Sequence, residues 1–363
     1  LLGTQKDYVL AEKYLNLVLS IYPTSEDTRY IAASYYLLKG NLREAENHVL
    51  FLLTENPENN SARNLYISIL MATGRFREVI PVAESLLKKD RSNPQLWYSL
   101  GQSYLETGSH QKAINSFLTA VALKPEDEIS RAALEYSVMD TTEIRSAQRQ
   151  SIAAYHFNKG RGYQERNLTA KALLEYRRGL MIDPSSKEGR IGYARIFKQQ
   201  GLPAKYLEEL MVLKTQGSAD RDINDEIEIT RSRLSDSVTN SWSVDQYMYE
   251  KSSYSFSVFT NPIGNNLDYF GGEIYLRRLF TDYLKNYQNI MPKIHQRNVT
   301  GFGDAFRSAR EAGTDYFIIL SFSESERFFT VTVKTYLTST GTLLSETKIQ
   351  RTGNDKIQEA LWR

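Results

Sequence analysis

A spacing of 34 residues recurs through the first part of the chain, and it restricts the available folds more than any other feature. Gly40, Gly74 and Gly108 are separated by this interval. A set of large apolar residues has the same spacing: Tyr36, Leu70 and Tyr104. So does a set of small or β-branched residues: Ala45, Val79 and Ala113. A large residue before each glycine and a small residue after it predict antiparallel helix pairs that stack one on the next.

The stretch 94–127 carries the complete pattern and resembles a tetratricopeptide repeat. The matching residues are Trp97, Leu100, Gly101, Tyr104, Ala113, Phe117, Ala120 and Pro125. Trp97, Leu100 and Tyr104 form an apolar stripe at helical spacing, while a glycine and a proline mark the helix ends. An ordinary amphipathic hairpin would explain this stretch alone, but it would not explain the recurrence.

The same register predicts repeats at 26–59, 60–93, 94–127, 153–186 and 187–216. Residues 128–152 interrupt it, and the pattern there predicts a long helix that begins near Asp140. Residues 221–236 have one apolar stripe among charges, which is typical of the helix that closes a solenoid. We therefore predict an α-solenoid over residues 1–236.

A serine-rich segment, 237–251, is the predicted linker, and the hydrophobic period changes after it. Residues 252–363 alternate between short β-branched or aromatic runs and amphipathic helical segments. Their predicted order is β-α-β-α-β-β-β, followed by a truncated helix from Asp355. The fold class is thus a tetratricopeptide α-solenoid followed by a small α/β domain.

This order, together with the segments 313–318 and 340–344, resembles the α/β domain at the start of TolB and that of the curli-secretion lipoprotein. The resemblance implies a periplasmic scaffold for the assembly of a bacterial envelope structure. Spirochaete flagellar-collar proteins are one group with this combination. The chain starts at Leu1 rather than methionine, which we interpret as a processed or excised chain that has lost its targeting signal.

Composition and short motifs reduce the number of function classes to consider. The sequence has no cysteine and a formal net charge of +2, which gives no reason to expect thiol chemistry, nucleic acid binding or attraction to a membrane surface. No apolar run approaches the roughly 20 residues needed to span a bilayer. Neither a phosphate-binding loop nor a nucleophile elbow is present. The scattered histidines are His48, His110, His156 and His295.

We therefore expect no cofactor, no metal and no catalytic residue. The alternative is an enzyme with an active site in or beside the C-terminal domain. The main hypothesis is protein binding, because stacked repeats expose their first helices along a concave groove. The register places these residues there: Tyr30, Ser34, Asn64, Ser68, Tyr98, Gln102, Phe157, Arg161, Arg195 and Lys198. The last three are cationic and favour an acidic partner segment. The C-terminal domain is a candidate for a second protein contact.

Overall fold

The structure is a computed structural model that describes residues 5–242, 254–261, 267–285, 290–295, 298–325 and 327–362. Within these ranges, thirteen helices precede the first strand. They are α1 (Gln5–Ile21), α2 (Glu26–Lys39), α3 (Leu42–Glu55), α4 (Asn60–Ala72), α5 (Phe76–Lys89), α6 (Pro94–Glu106), α7 (His110–Leu123), α8 (Glu128–Thr141), α9 (Ala147–Glu165), α10 (Thr169–Ile182), α11 (Lys187–Gln199), α12 (Pro203–Thr215) and α13 (Arg221–Trp242). Consecutive helices pair as the hairpins of a tetratricopeptide solenoid.

The turns within the hairpins confirm the predicted register. Gly40, Gly74, Gly108 and Gly201 each lie in such a turn and have φ between 69° and 80°. Glycine is the residue that adopts this left-handed conformation without steric cost. The small residues Ala45 and Ala113, which follow two of these turns, are fully buried.

The irregular segment after the third hairpin differs from its prediction. Helix α8 continues to Thr141, and the next helix begins at Ala147 rather than near Asp140. The side chain of Ser146 caps α9 by accepting a hydrogen bond from the backbone N–H of Arg149. This cap fixes the start of α9, so that five residues separate it from the end of α8.

The contacts divide the chain into two compact units. Unit 1 comprises Leu1–Leu134 and Ser253–Arg363, and unit 2 comprises Glu135–Ser252. The α/β domain therefore belongs with the first three hairpins. The predicted limits 1–236, 237–251 and 252–363 stay a prediction. Helix α13 extends through 237–242, and residues 243–251 of the predicted linker lie outside the described residues.

The α/β domain has the predicted order of elements. These are β1 (Tyr254–Thr260), α14 (Gly272–Leu284), β2 (Ile290–Ile294), α15 (Phe302–Glu311), β3 (Tyr316–Glu324), β4 (Phe328–Leu337), β5 (Leu343–Thr352), a 3-10 turn (Asn354–Lys356) and α16 (Ile357–Trp362). The five-stranded sheet has the order β2-β1-β3-β4-β5. Strand β1 is parallel to β2 and β3, whereas the β3–β4 and β4–β5 pairs are antiparallel.

Side chains of β3 alternate between two buried faces of the sheet. Phe317 and Ile319 pack with α15 in a cluster that includes Ala305 and Ala309. The intervening residues of β3 and the start of β4 form the other buried face: Ile318, Leu320, Phe322, Phe329 and Val331. Val333 lies on the same face but is only half-buried, and its partner across the ladder, Thr347 of β5, is exposed.

Candidate partner-binding surfaces

Tyr98 of α6 is covered by the α/β domain of the same chain, within unit 1. Its side chain is 0% exposed, and its hydroxyl donates a hydrogen bond of 3.1 Å to the carbonyl of Phe270. Its ring meets Tyr269 edge-on at 5.0 Å and Phe117 at 5.6 Å. The expectation that Tyr98 lines an open groove is therefore wrong, since another segment of the chain fills that position.

Gln102, one turn further along α6, is also buried. Its side-chain oxygen accepts a hydrogen bond of 2.7 Å from the hydroxyl of Tyr275 on α14. A buried amide oxygen needs a partner of this kind, since leaving it unsatisfied costs roughly 1–3 kcal/mol. Gln102, like Tyr98, was expected in the groove and instead joins α6 to the α/β domain.

Close backbone approach and a buried carboxylate complete this contact. Gly272 lies so near Ile129 of α8 that a Cβ atom there would come within 2.8 Å of the isoleucine side chain. Asp127 accepts hydrogen bonds from the backbone of Ser130 at 3.1 Å and from the side chain of Asn354 at 2.5 Å. We call the surface formed by Tyr98, Gln102, Asp127 and Ile129 the docking face.

In the first two hairpins, the residues predicted to line the groove remain at least partly accessible to solvent. Tyr30 and Asn64 are exposed, and Ser34 and Ser68 are half-buried. Tyr30 and Tyr98 occupy the same place in their repeats, and Tyr98 is covered by residues of the α/β domain. Partner binding by these four residues stays a prediction.

In unit 2, Phe157 serves mainly for packing and is half-buried. Its ring occupies space opened by Gly179 and Gly189, where a Cβ atom would approach the ring to 2.4 Å and 2.3 Å. It also stacks against Tyr176 at 6.4 Å. This ring thereby packs α9 closely against α10 and α11.

Two exposed arginines lie on successive first helices of unit 2. Arg161 of α9 and Arg195 of α11 are both exposed. The ring of Tyr176 lies against Gly160 of α9 and Gly192 of α11, between the two helices. Burial raises the pKa of Tyr176, and the positive charges of these two arginines act against that rise. The Tyr176 hydroxyl donates to the side chain of Gln164 at 3.2 Å. Partner binding by Arg161 and Arg195 stays a prediction.

The charges of this region are only partly neutralised. Arg161 pairs with Glu188 at 2.8 Å, and Lys198 pairs with Glu226 at 2.9 Å. Among the residues that the structure describes, Arg195 forms no ion pair. Arg161, Arg195 and Lys198 together form what we call the cationic surface.

A buried ionic cluster in unit 2 was not predicted from the sequence. His156 lies between two carboxylates, 2.7 Å from Glu175 and 2.8 Å from Glu135. Arg178 pairs with Glu135 at 2.6 Å, and Lys159 pairs with Glu175 at 2.8 Å. Burial by itself would lower the pKa of His156, but the Glu135 and Glu175 carboxylates outweigh it and raise that pKa. The pKa of Glu175 falls to about 2, because its cationic partners prevail over burial.

One pair of side chains in the α/β domain has the spacing expected of a catalytic pair. His295 and Ser257 approach to 2.9 Å, like a base and a nucleophile, but Ser257 is fully buried and also bonds Thr314 at 2.9 Å. A substrate could not reach that hydroxyl. Within the described part of the chain, no group of metal-binding side chains occurs, and no helix is long and apolar enough to cross a membrane.

Comparison with known families supports the repeat identification. A tetratricopeptide repeat model matches residues 67–128, and the model for the second domain of the TPASS_0648 family matches residues 235–363. The chain therefore contains tetratricopeptide repeats, as the 34-residue pattern predicted. No curated protein matches the chain.

Solved structures with similar helical repeats include the Cut9–Hcn1 hetero-tetramer of the APC/C, at 15% identity and a TM-score of 0.35. That match covers 61% of this chain and 46% of the other, so the chain spans less than half of that protein. A repeat protein from Parabacteroides merdae ATCC 43184 is 14% identical, with coverages of 62% and 93% and a TM-score of 0.36. YrrB, described as having an unusual peptide-binding site, is 13% identical, with coverages of 60% and 97% and a TM-score of 0.33.

Proposed function

We propose that this chain is a protein–protein interaction scaffold whose cationic surface binds an acidic segment of a partner protein. Tetratricopeptide repeat proteins generally mediate protein–protein interaction, and the chain contains such repeats. The observation that carries the proposal is that Arg161 and Arg195 are both exposed on the successive first helices α9 and α11, which the Tyr176 ring joins through Gly160 and Gly192.

The chemistry of arginine favours a carboxylate partner. A guanidinium group can donate two parallel hydrogen bonds to one carboxylate, and such charge-assisted bonds are stronger than neutral ones. Arg195 is available for this contact. The pair between Arg161 and Glu188 is exposed, with Glu188 84% accessible, so its loss to a competing carboxylate costs little. Arginine is also frequent among the residues that dominate interface energy.

We place this scaffold in the periplasm, in the assembly of a bacterial envelope structure. The support is the β-α-β-α-β-β-β order on which the resemblance to the TolB and curli-secretion domains was based. A spirochaete flagellar collar is the specific case that the resemblance suggests. Fractionation of native cells tests the compartment: recovery of the chain with cytoplasmic markers would refute it.

The binding test uses the full chain and a labelled polyglutamate peptide as the probe. The double variant Arg161→Ala/Arg195→Ala should weaken binding by at least ~2 kcal/mol, about thirtyfold. Binding should also become less sensitive to salt, because exposed charge attraction is screened within about 8 Å at physiological ionic strength.

Arg221→Ala is the matched control, since this arginine is also in unit 2 and its side chain is 92% exposed. It removes one positive charge away from α9 and α11 and should change neither affinity nor salt dependence. Equal binding by the wild-type and double-variant chains would refute an acidic partner at the cationic surface. Melting curves of all three proteins should coincide, because each substituted side chain is exposed.

A further inference from the structure

Strand β5 presents an unusually long and open sheet edge. It is the last strand in the order β2-β1-β3-β4-β5, and within the described residues no strand pairs with its outer side. Every residue from Leu343 to Thr352 is exposed except Ile349 and Arg351, which are half-buried. An edge of this kind carries unpaired backbone N–H and C=O groups and is a template for another strand.

The opposite edge of the same sheet is protected in the usual way. Strand β2 has only five residues, and one of them is Pro292, which has no backbone N–H. By contrast, β5 has ten residues and contains neither proline nor glycine. The two edges of one sheet therefore differ in their capacity to accept a further strand.

The charges of β5 are self-complementary. Glu346 and Lys348 flank Thr347 and point to the same face of the sheet, because side chains alternate along a strand. If a second β5 pairs antiparallel to the first about Thr347, each Glu346 lies opposite Lys348 of the other copy. A pairing about Glu346 or Lys348 instead places like charges directly opposite, which is destabilising.

Contacts within the chain reinforce this register. Lys334 of β4 pairs with Glu346 across the β4–β5 ladder, at 3.3 Å. In a pair centred on Thr347, Glu346 would therefore lie between two lysines, one from each copy. The β4–β5 ladder shifts register at Leu344, so the regular part of this pairing runs from Ser345 to Ile349. The charges thus favour one antiparallel register of two β5 strands over the neighbouring registers.

We propose that β5 is a self-association edge through which two copies of this chain join their sheets antiparallel about Thr347. The occupant is a second copy, because the charge sequence of β5 is complementary to itself. This dimer is independent of the cationic surface, which lies in the other compact unit. It would present two partner-binding surfaces in one assembly and so increase avidity for a repetitive partner.

The test measures the mass of the full chain by sedimentation over a wide range of protein concentration. The wild-type chain should form a concentration-dependent dimer. Glu346→Lys and Lys348→Glu each place like charges opposite one another across the pair, so each variant alone should dissociate at least about tenfold more readily. An equimolar mixture of the two variants restores opposite charges at both positions and should recover the dimer.

Lys285→Glu is the control, an exposed lysine at the end of α14 in the same domain, and it should dimerise as the wild type does. Circular dichroism and melting curves confirm that each variant is folded. A wild-type chain that stays monomeric at every concentration would overturn self-association and leave the edge for a strand of another protein. Dimers of unchanged affinity in both single variants, or no recovery in the mixture, would overturn this register.

Discussion

Replacing Tyr98 with alanine should destabilise unit 1 and loosen its α/β domain. The side chain is fully buried between Phe117 and Tyr269, and its hydroxyl bonds the Phe270 carbonyl. Removal of a buried aromatic side chain costs about 3–5 kcal/mol. For a domain of the size of unit 1, that corresponds to a fall in Tm of about 6–20 °C. Tyr98→Phe removes only the hydrogen bond and should cost about 1 kcal/mol.

Tyr30→Ala is the matched control, because Tyr30 occupies the same repeat position in α2 but is 39% exposed. It should lower Tm far less than Tyr98→Ala does. The assay is thermal unfolding of the full chain, combined with hydrogen exchange of peptides from α6 and α14. Tyr98→Ala should accelerate exchange in both helices. If Tyr98→Ala and Tyr30→Ala gave equal melting temperatures and unchanged exchange in α14, the docking face would not be formed as described.

Two further predictions concern packing and pH. Gly101→Ala should lower the free energy of unfolding of unit 1 by about 1–3 kcal/mol, because the new methyl group would lie 2.8 Å from the Phe117 ring. Chemical denaturation measures this difference. A variant as stable as the wild type would refute the tight α6–α7 contact. The raised pKa of His156 means that its protonated form stabilises unit 2 fully below about pH 6.5, and this stabilisation is lost as pH rises through the folded-state pKa. The difference in Tm between wild type and His156→Gln should therefore shrink as pH rises, and a constant difference would show that the imidazolium contributes nothing.

The repeats and the order of strands and helices followed from the sequence because they depend on local interactions. Gly40 and Gly108 mark turns through their own backbone conformation, and Ala45 and Ala113 mark close helix contacts at a fixed distance along the chain. The strand order rested on changes of hydrophobic period within 252–363. Placement of Arg161 and Arg195 on neighbouring helices also followed, since their repeats share one register.

The residues that cover each surface depend on contacts between distant parts of the chain. The contact between Gln102 and Tyr275 joins residues far apart in sequence, and no periodic pattern of either segment specifies the other. The burial of Tyr98 has the same origin, because Tyr30 has the same local pattern and stays exposed. The ionic cluster around His156 likewise combines side chains from three helices. Periodicity fixes which face of an element is apolar, whereas the partner of that face depends on long-range packing of the whole chain.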